Sequence, residues 1–387
     1  MRLRTLPLLS TLRGQRLLLR LDLNVPCKGL HVEDDYKIIS ALPTIKKLRS
    51  LPLIIMSHRG EPITNGKRYN FNNAYSLAPV VQRLKKYAGG RVFLATGSWT
   101  EIQKQAAALK PGEIMVLENL RFWSGEIKNN IAFARDLASL ATVYVNDAFA
   151  VSHRRHASIV AITRFLPSYA GPLLEAEINH LSKVGKSRSM VVVFGGAKIS
   201  DKLPLIKKFL PRAKAILVGG GIANALLKAR GYEVGTSFYE IKSLAAAKRL
   251  LSPKIIIPED VIVQRGRQVR TVLVKEVQKN EAIFDIGPRT SQLYSNYLRS
   301  AKTIVWNGPL GLFESPAFTE GTKVVAIAIS QATKKGAFSI VGGGETVEAV
   351  RKIKLTHPLS WISTGGGATL HFLSGKTLPG LNVLRRS

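Results

Sequence analysis

The fold is decided by the stretch Phe194-Gly195-Gly196-Ala197-Lys198-Ile199-Ser200-Asp201-Lys202-Leu203, which follows the apolar run Met190–Phe194. An apolar, β-branched run predicts a buried strand, and the two glycines allow a tight turn and a close backbone approach to a ligand. The next residues predict the first turns of a helix, on which Lys198 and Lys202, four apart, share one face. Because helix N-termini attract anions, this arrangement favours a phosphate site. A strand-turn-helix unit with two solvated lysines is the simpler alternative.

The second half of the chain repeats the step from a strand into a glycine turn. The predicted strands that do so are Ala215–Val218, Thr303–Trp306, Phe338–Val341 and Trp361–Thr364. In a parallel sheet all five turns lie at one edge, where backbone can approach a phosphate-bearing ligand such as a nucleotide. Oxygen atoms suited to Mg²⁺ and phosphate follow the same strands, at Glu314, Glu345 and Thr346. The chain has neither a Walker A motif nor the protein-kinase motifs, so we expect a nucleotide site of another kind.

The first half alternates short apolar runs with helical patterns, which predicts a doubly wound parallel sheet. The predicted strands are Arg16–Leu23, Leu51–Met56, Arg91–Ala95, Ile114–Glu118 and Thr142–Asn146. The predicted helices are Tyr36–Ser50, Ser76–Tyr87, Thr100–Leu109 and Ala132–Leu140. Basic side chains follow the strand ends and together predict a basic cup for a small, highly anionic ligand. The basic cup consists of His58, Arg59, Arg121, His153, Arg154 and His156.

The chain of 387 residues is long enough for two domains. Pro167, Gly171 and Pro172 interrupt the pattern, and Leu173–Val184 then predicts a helix. We therefore expect an α/β protein with two doubly wound, Rossmann-like parallel-sheet domains, residues 1–165 and 187–373, joined by a hinge helix within 166–186. The economical mechanism is phosphoryl transfer from one domain's ligand to the other's, with domain closure expelling water.

The amino-acid composition limits which binding partners and which cellular compartment are expected for this protein. The net charge is +32, but lysine and arginine are spread along the chain and no nucleic-acid-reading motif is present. A solvated basic surface is therefore favoured over a specific nucleic-acid partner. No apolar run predicts a membrane span, and the single cysteine, Cys27, fits a reducing cytoplasm. The arginine-rich first twenty residues resemble a transit peptide, but the strand pattern from Arg16 leaves little length for one.

Several longer motifs, in one order along the chain, resemble the phosphoglycerate kinase family from Arg20 to Gly380. These motifs are Asp22–Pro26, Ala41–Ile45, Met56–His58, Glu118–Phe122, Asn146–Phe149 with His153 and Arg154, Gly195–Lys202, Trp306–Gly311, Gly342–Gly344 and Ser363–Gly367. The resemblance implies a phosphotransferase with a carboxyl group as acceptor. Its expected reaction is reversible phosphoryl transfer between 1,3-bisphosphoglycerate and Mg-ADP, giving 3-phosphoglycerate and ATP in glycolysis. A cytoplasmic monomer is expected.

The resemblance also implies roles for individual residues. It makes residues 1–165 the acid-substrate domain, with 374–387 packing back on it, and 187–373 the nucleotide domain. It implies binding of the acid substrate by Asp22, Asn24, His58, Arg121 and Arg154. It implies binding of ATP or ADP by Lys202, Asn307, Glu314, Gly343, Gly344 and Thr346, with Glu345 near Mg²⁺ through the nucleotide phosphates. Lys198 would neutralise the phosphoryl group during transfer.

Three positions depart from the family pattern. Lys37 stands where the family has a catalytic arginine, Glu61 replaces a substrate-side arginine, and Glu345 replaces a metal-binding aspartate. Lysine lacks the bidentate fork of arginine, so Lys37 is expected to be a weaker catalytic residue. Arg59, two positions before Glu61, is a candidate substitute on the substrate side. The alternative function is therefore a catalytically weakened relative with a binding or regulatory role.

Overall fold

The computed structural model describes residues 2–62, 73–187 and 189–386. These residues form two compact units. Unit 1 contains the chain up to Asn179 together with the segment from Lys376 onward, and unit 2 is His180–Gly375. The boundary therefore lies inside one helix, Pro172–Lys186.

Unit 1 is built on a parallel sheet with helices on both faces. Its strands are β1 Leu17–Arg20, β2 Cys27–Lys28, β3 His31–Val32, β4 Leu53–Met56, β5 Val92–Leu94, β6 Ile114–Val116, β7 Val143–Asn146 and β8 Ser168–Ala170. Its helices are α1 Tyr36–Leu48, α2 Ala78–Ala88, α3 Trp99–Ala107, α4 Ser124–Ile127, α5 Ile131–Ala138 and α6 Pro172–Lys186, which crosses the boundary. Six strands pair in parallel in the order β5-β6-β4-β1-β7-β8, and β2 and β3 form a short antiparallel pair.

Strand β1 shows why successive residues in the strands of this sheet are apolar. Leu17 and Leu19 pack into one core cluster, whereas Leu18 packs into a second cluster on the opposite face. A parallel sheet covered on both faces needs apolar residues at every position rather than at alternate ones. The basic and polar residues are therefore left to the loops at the strand ends.

Unit 2 contains a second parallel sheet. Its strands are β9 Met190–Phe194, β10 Ala213–Val218, β11 Ile255–Ile256, β12 Asp260–Arg265, β13 Gln268–Leu273, β14 Ala282–Ile286, β15 Thr303–Asn307, β16 Phe338–Gly342 and β17 Trp361–Ile362. Its helices are α7 Leu203–Phe209, α8 Gly220–Ala229, α9 Leu244–Lys248, α10 Pro288–Arg299, α11 Glu320–Lys334, α12 Gly344–Lys352 and α13 Gly367–Ser374. Within the described residues the parallel sheet has the order β11-β10-β9-β15-β16-β17, which confirms the predicted α/β class with two parallel sheets.

The chain returns to unit 1 after α13. Helix α14, Pro379–Asn382, lies in this segment, where the Gly380 N–H donates to the Ser152 carbonyl at 2.9 Å. Leu3 and Arg385 also form an antiparallel bridge. Short 3-10 turns complete the described structure, at Leu9–Leu12, Asn73–Tyr75, Leu120–Phe122, Phe149–Val151, Ala161–Arg164, Ile241–Ser243, Val274–Glu276 and Pro316–Phe318.

Two features of unit 2 differ from the sequence-based expectations. The antiparallel sheet β13-β12-β14 was not predicted, although β-branched residues on both sides of the two-residue turn Gly266-Arg267 are a hairpin signal. The helix expected from Lys198 begins only at Leu203, so Lys198 and Lys202 do not share a helical face. The intervening residues form a turn in which Ser200 N–H donates to the Glu240 carboxylate at 3.0 Å instead of entering a helical ladder.

Candidate functional site

A pocket of about 450 Å³ lies at the carboxyl ends of strands β9, β15 and β16 in unit 2. We call it the glycine-rich pocket. It is lined by Gly195, Gly196, Ala197, Lys198, Asp201, Lys202, Asn307, Gly308, Gly343, Gly344, Glu345, Thr346, Gly366, Gly367 and Leu370. Four of the five predicted glycine turns therefore contribute to one wall, and the turn after β10 packs behind it, where a Cβ at Gly221 would clash with Ala197. Backbone N–H groups at such an edge are suited to binding phosphate.

Lys202 is fixed inside this pocket. Its ammonium donates to the Asn307 side-chain oxygen, and the Asn307 amide in turn donates to the Gly342 carbonyl at 2.6 Å. Burial lowers the pKa of Lys202, while the nearby carboxylates of Asp201 and Glu345 act in the opposite direction. The result is a partly desolvated ammonium group with a defined position, as required to bind a phosphate oxygen.

Lys198 has a different environment. It is exposed at the pocket wall, and its segment is held through the next residues rather than through its own side chain. Glu240 accepts hydrogen bonds from the Ser200 hydroxyl at 2.8 Å and from the Ser243 hydroxyl at 2.8 Å. Because the backbone is anchored while the residue is exposed, the Lys198 side chain can reorient toward a bound ligand. Sequence reasoning missed Glu240, which lies in a loop without a recognisable motif.

The backbone at Gly343 connects these side chains to helix α12. Gly343 has φ +102° and precedes the helix, while the buried Thr346 hydroxyl accepts from the Gly308 N–H at 2.6 Å. A Cβ at Gly343 would lie 2.9 Å from the Asn307 side-chain nitrogen and 3.1 Å from the Thr346 hydroxyl. Only glycine adopts this conformation at this distance without strain.

Replacing Gly343 with alanine is expected to destabilise the protein. The positive φ and the contact with Asn307 together should lower the free energy of unfolding by about 1–3 kcal/mol. Gly344→Ala is the matched control, because Gly344 is helical and a Cβ there would meet nothing within 4 Å. Denaturant unfolding of the two variants measures the difference, and equal stabilities would contradict the assigned strain.

Two acidic residues line the glycine-rich pocket, Asp201 and Glu345. Glu345 lies in the first turn of α12. Glu314, expected to bind nucleotide, is exposed in the loop after β15 and is not among the lining residues. Across residues 2–62, 73–187 and 189–386, no group of three or more His, Cys, Asp or Glu side chains is arranged to hold a metal ion. Asp201 and Glu345 supply the hard oxygen atoms that Mg²⁺ prefers, so the lining fits a metal that is shared with an anionic ligand.

A second group of candidate residues lies in unit 1, at the ends of four neighbouring strands, β6, β4, β1 and β7. Because the strands are parallel, the residues that follow them meet at one edge. We call the group the anion site. It contains Asp22, Asn24, Lys37, His58, Glu61, Arg121 and Arg154.

Lys37 pairs with Asp22 in this site. The Lys37 ammonium lies 2.6 Å from the Asp22 carboxylate, and 29% of the Lys37 side chain is exposed. Asn24 fixes the neighbouring loop, since its side-chain oxygen accepts from the Gly60 N–H at 2.9 Å. Lys37 therefore faces the site as a localised charge, already partly compensated by a carboxylate.

His58 is buried beside the fully buried Arg20, whose Nη2 lies 3.3 Å from His58 Nδ1. Burial first, and then the positive charges of Arg20 and Arg121, hold the pKa of His58 well below its usual range. A guanidinium only donates hydrogen bonds, so Nδ1 must accept and the imidazole proton must reside on Nε2. His58 is therefore a neutral hydrogen-bond donor through Nε2.

We expect this environment to make stability depend on pH. The unfolded chain protonates His58 below about pH 6.5, whereas the folded protein resists this, so the residue's contribution to stability falls as the pH falls. Between about pH 6 and 5, ΔG of unfolding should fall by about 1 kcal/mol per pH unit more in the wild type than in His58→Asn. Burial raises the pKa of Asp285 to about 7, so this residue's contribution to stability rises as the pH falls. The contribution is the same in the wild type and in His58→Asn, and it therefore cancels when the two are compared. Chemical unfolding across this pH range provides the measurement; parallel curves would contradict the assignment.

A buried network supports Arg20, and sequence reasoning missed it. Arg20 Nε donates to the Ser158 hydroxyl at 3.0 Å, and that hydroxyl donates to Glu126 at 2.6 Å. His156, predicted for the basic cup, lies 3.6 Å from the fully buried Glu126. The expectation that His156 faces the ligand is thus wrong, because the buried carboxylate holds it inside the unit. A charged residue inside an apolar strand, Arg20, was the available signal.

Arg121 and Arg154 face each other across Glu61. Arg121 is 3% exposed and donates through Nη1 to the Gly60 carbonyl, while its Nε and Nη2 atoms are buried without a hydrogen-bond partner in the described structure. Burial and the Arg154 charge lower the pKa of Arg121 to about 10. Arg59 is buried in a different contact, donating to the Ser76 carbonyl at 2.8 Å. The Nε and Nη2 donors of Arg121, which lack a partner among residues 2–62, 73–187 and 189–386, are suited to an anionic ligand.

Residues 9–376 match the family Phosphoglycerate kinase. A phosphoglycerate kinase from Thermosipho africanus is 42% identical over 96% of this chain and 95% of its own length. One from Rubrobacter xylanophilus is 43% identical over 96% of both chains.

Solved structures agree with these sequence matches. The structure of phosphoglycerate kinase from Coxiella burnetii aligns with a TM-score of 0.83 at 38% identity, covering 96% of each chain. That of phosphoglycerate kinase from Pyrococcus horikoshii aligns with a TM-score of 0.85 at 31% identity, with the same coverage. The two sheets and their connections are therefore shared with these proteins along nearly the whole chain.

Proposed function

The chain belongs to the phosphoglycerate kinase family, and on that premise we propose how its two units divide the reaction. The reaction is reversible transfer of a phosphoryl group between 1,3-bisphosphoglycerate and ADP, giving 3-phosphoglycerate and ATP. Unit 2 binds the nucleotide and unit 1 binds the phosphoglycerate. The observation that carries this division is the glycine-rich pocket, which combines two lysines, glycine turns and carboxylates within unit 2.

On the acid side, Arg121 and Arg154 bind the most highly charged end of the substrate. The buried Arg121 supports this role, because its Nε and Nη2 groups have no hydrogen-bond partner among the described residues and would be satisfied by an anionic ligand. His58 donates a hydrogen bond to the substrate through Nε2. Its low pKa keeps the imidazole neutral, so it adds no charge to the site. Asp22 and Asn24 position Lys37 and the Gly60 loop, respectively. Arg59 contributes less to substrate binding in this proposal, because its guanidinium already donates a hydrogen bond to the Ser76 carbonyl.

On the nucleotide side, Lys202 and Asn307 bind phosphate oxygens together with backbone groups of Gly343, Gly344 and Thr346. Lys202 is fixed and partly desolvated, which suits ground-state binding. Lys198 is exposed and free to follow the phosphoryl group, whose negative charge is spread over its equatorial oxygens in the transition state. Catalysis then consists of positioning and charge neutralisation rather than covalent chemistry. Domain closure would bring the two substrates together and exclude water.

We also propose Mg²⁺ as the metal, held mainly by the nucleotide phosphates with Glu345 as the protein carboxylate. When bound, the ion would neutralise phosphate charge. Glu345 supports this role because it lines the pocket beside Asp201 at the start of α12. Glu314 is exposed and lies outside the lining, so its proposed contact is with a part of the nucleotide that extends beyond the pocket.

A coupled assay tests the proposal directly. The full chain should form ATP from 1,3-bisphosphoglycerate and ADP only when Mg²⁺ is present, and calorimetry should detect separate binding of 3-phosphoglycerate and ADP. Binding of both ligands without turnover would instead support the alternative, a weakened relative with a binding or regulatory role. The motivation for that alternative is confined to Lys37, Glu61 and Glu345.

We further propose a cytoplasmic monomer without a specific nucleic-acid target. The dispersed charge of +32 and the single cysteine, Cys27, support this. In the described part of the chain, no helix is long and apolar enough to cross a membrane. Light scattering tests the oligomeric state, and filter binding at physiological salt tests for DNA affinity, which should be weak and salt-sensitive.

A further inference from the structure

Glu61 places a carboxylate where the anion site would bind its ligand. Its Oε1 lies 3.5 Å from Arg121 Nη1 and also 3.5 Å from Arg154 Nη1, so one oxygen bridges both guanidinium groups. The Glu61 side chain is 74% exposed, whereas Arg121 is almost completely buried. The carboxylate therefore reaches in from solvent to two charges, one of which is fixed.

The arrangement leaves the buried guanidinium only partly compensated. Arg121 Nη1 is shared between the Gly60 carbonyl and Glu61, while Nε and Nη2 have no hydrogen-bond partner in the described structure. Distances of 3.5 Å are long for charge-assisted hydrogen bonds, which are usually about 2.7–2.9 Å. The contact with Glu61 is thus an ion pair that neutralises charge but leaves the donors available to a better ligand.

We propose that Glu61 is an internal competitor of the acid substrate for Arg121 and Arg154. This inference rests on the proposed acid site in unit 1. An incoming anion must displace the Glu61 carboxylate before it can bind both arginines. A dianionic phosphate with three acceptor oxygens can displace it and also satisfy the unpaired donors. A monoanionic group only replaces the charge that Glu61 already supplies, so the exchange leaves it with little net affinity.

Calorimetry on the full chain tests this with 3-phosphoglycerate, glycerate and ADP as probes. Glu61→Gln should bind 3-phosphoglycerate about three- to tenfold more tightly, since each exposed ion pair is worth at most a factor of about five. Every anion that has to displace Glu61, glycerate included, should gain by about the same factor, and the affinity for ADP should not change. Asp136→Asn is the control: it removes one charge from an exposed position on α5 of the same unit and should leave all three affinities unchanged.

The outcomes separate this inference from the proposal on which it rests. If the wild type binds 3-phosphoglycerate and Glu61→Gln binds it equally or more weakly, internal competition is refuted while the acid site stands. If no protein in the series binds 3-phosphoglycerate although all bind ADP, both the acid site and the inference fail. An equal gain from Asp136→Asn would show a general charge effect and would also refute competition.

A double variant tests the bridging geometry. In an Arg154→Met background one of the two ion pairs is already absent, so Glu61→Gln should gain less than it does in the wild type. A reduced gain supports the bridge. An undiminished gain would mean that Glu61 acts on the ligand without Arg154, and the proposed bridge would be wrong.

Discussion

Lys198→Ala is expected to lower kcat for ATP formation about 100- to 1000-fold, as removal of a single transition-state donor does in other enzymes. The Kd for ADP should change by less than about threefold, because a group that acts mainly in the transition state contributes little to ground-state binding. The structure motivates the distinction: Lys198 is an exposed residue at the pocket wall, and its backbone is anchored through Ser200 and Glu240. Steady-state kinetics together with calorimetry measure both quantities.

Lys202→Met is the variant with which Lys198→Ala should be compared, because it is expected to affect nucleotide binding. Lys202 is partly desolvated and bonded to Asn307, so its loss should weaken nucleotide binding by about tenfold or more, the value of one charge-assisted hydrogen bond. If both variants lost only nucleotide affinity, and to the same extent, Lys198 would be a second binding residue and the assignment to the moving phosphoryl group would be wrong.

The nucleotide half shows what local sequence signals can predict. A buried apolar run followed by glycines specified strands β9, β15 and β16 and the edge at which their turns meet, because parallel strands bring their carboxyl ends together. The position of Lys198 relative to Lys202 was not predictable in the same way. Ser200 N–H bonds to Glu240, forty residues away, and this long-range contact outweighs the local preference for a helix.

In unit 1, the sequence predicts which charged residues lie near the anion site but not which charges pair with one another. Arg121 and Arg154 were predicted from their positions after strand ends, yet their relation to Glu61 depends on three loops from different strands. Arg20 and Glu126 were missed because a sequence does not reveal which buried charge compensates which. Their connection through Ser158 is a tertiary network, and it explains why His156 turns inward although its neighbour Arg154 reaches the site.

Lys37 is expected to limit kcat, because it provides an ammonium group where the family has a guanidinium. In the loose transition state of phosphoryl transfer, charge lies on several oxygens at once. A guanidinium can bond two of them, whereas an ammonium acts as a point charge. Lys37 is further restricted because its ammonium lies 2.6 Å from the Asp22 carboxylate. An arginine at this position could keep one N–H on Asp22 and direct others to the substrate.

Lys37→Arg is therefore expected to raise kcat with little change in KM for 3-phosphoglycerate, since the charge that attracts the substrate is unchanged. One additional charge-assisted hydrogen bond is worth about 1.5–3 kcal/mol, which corresponds to about a 10- to 100-fold increase in rate. Arg59 is the alternative source of a guanidinium fork, but its bond to the Ser76 carbonyl holds it elsewhere. If Lys37→Arg left kcat unchanged, and Arg59→Leu abolished activity only when Lys37 was present, Arg59 would be the substitute. Lys37 would then not limit the rate.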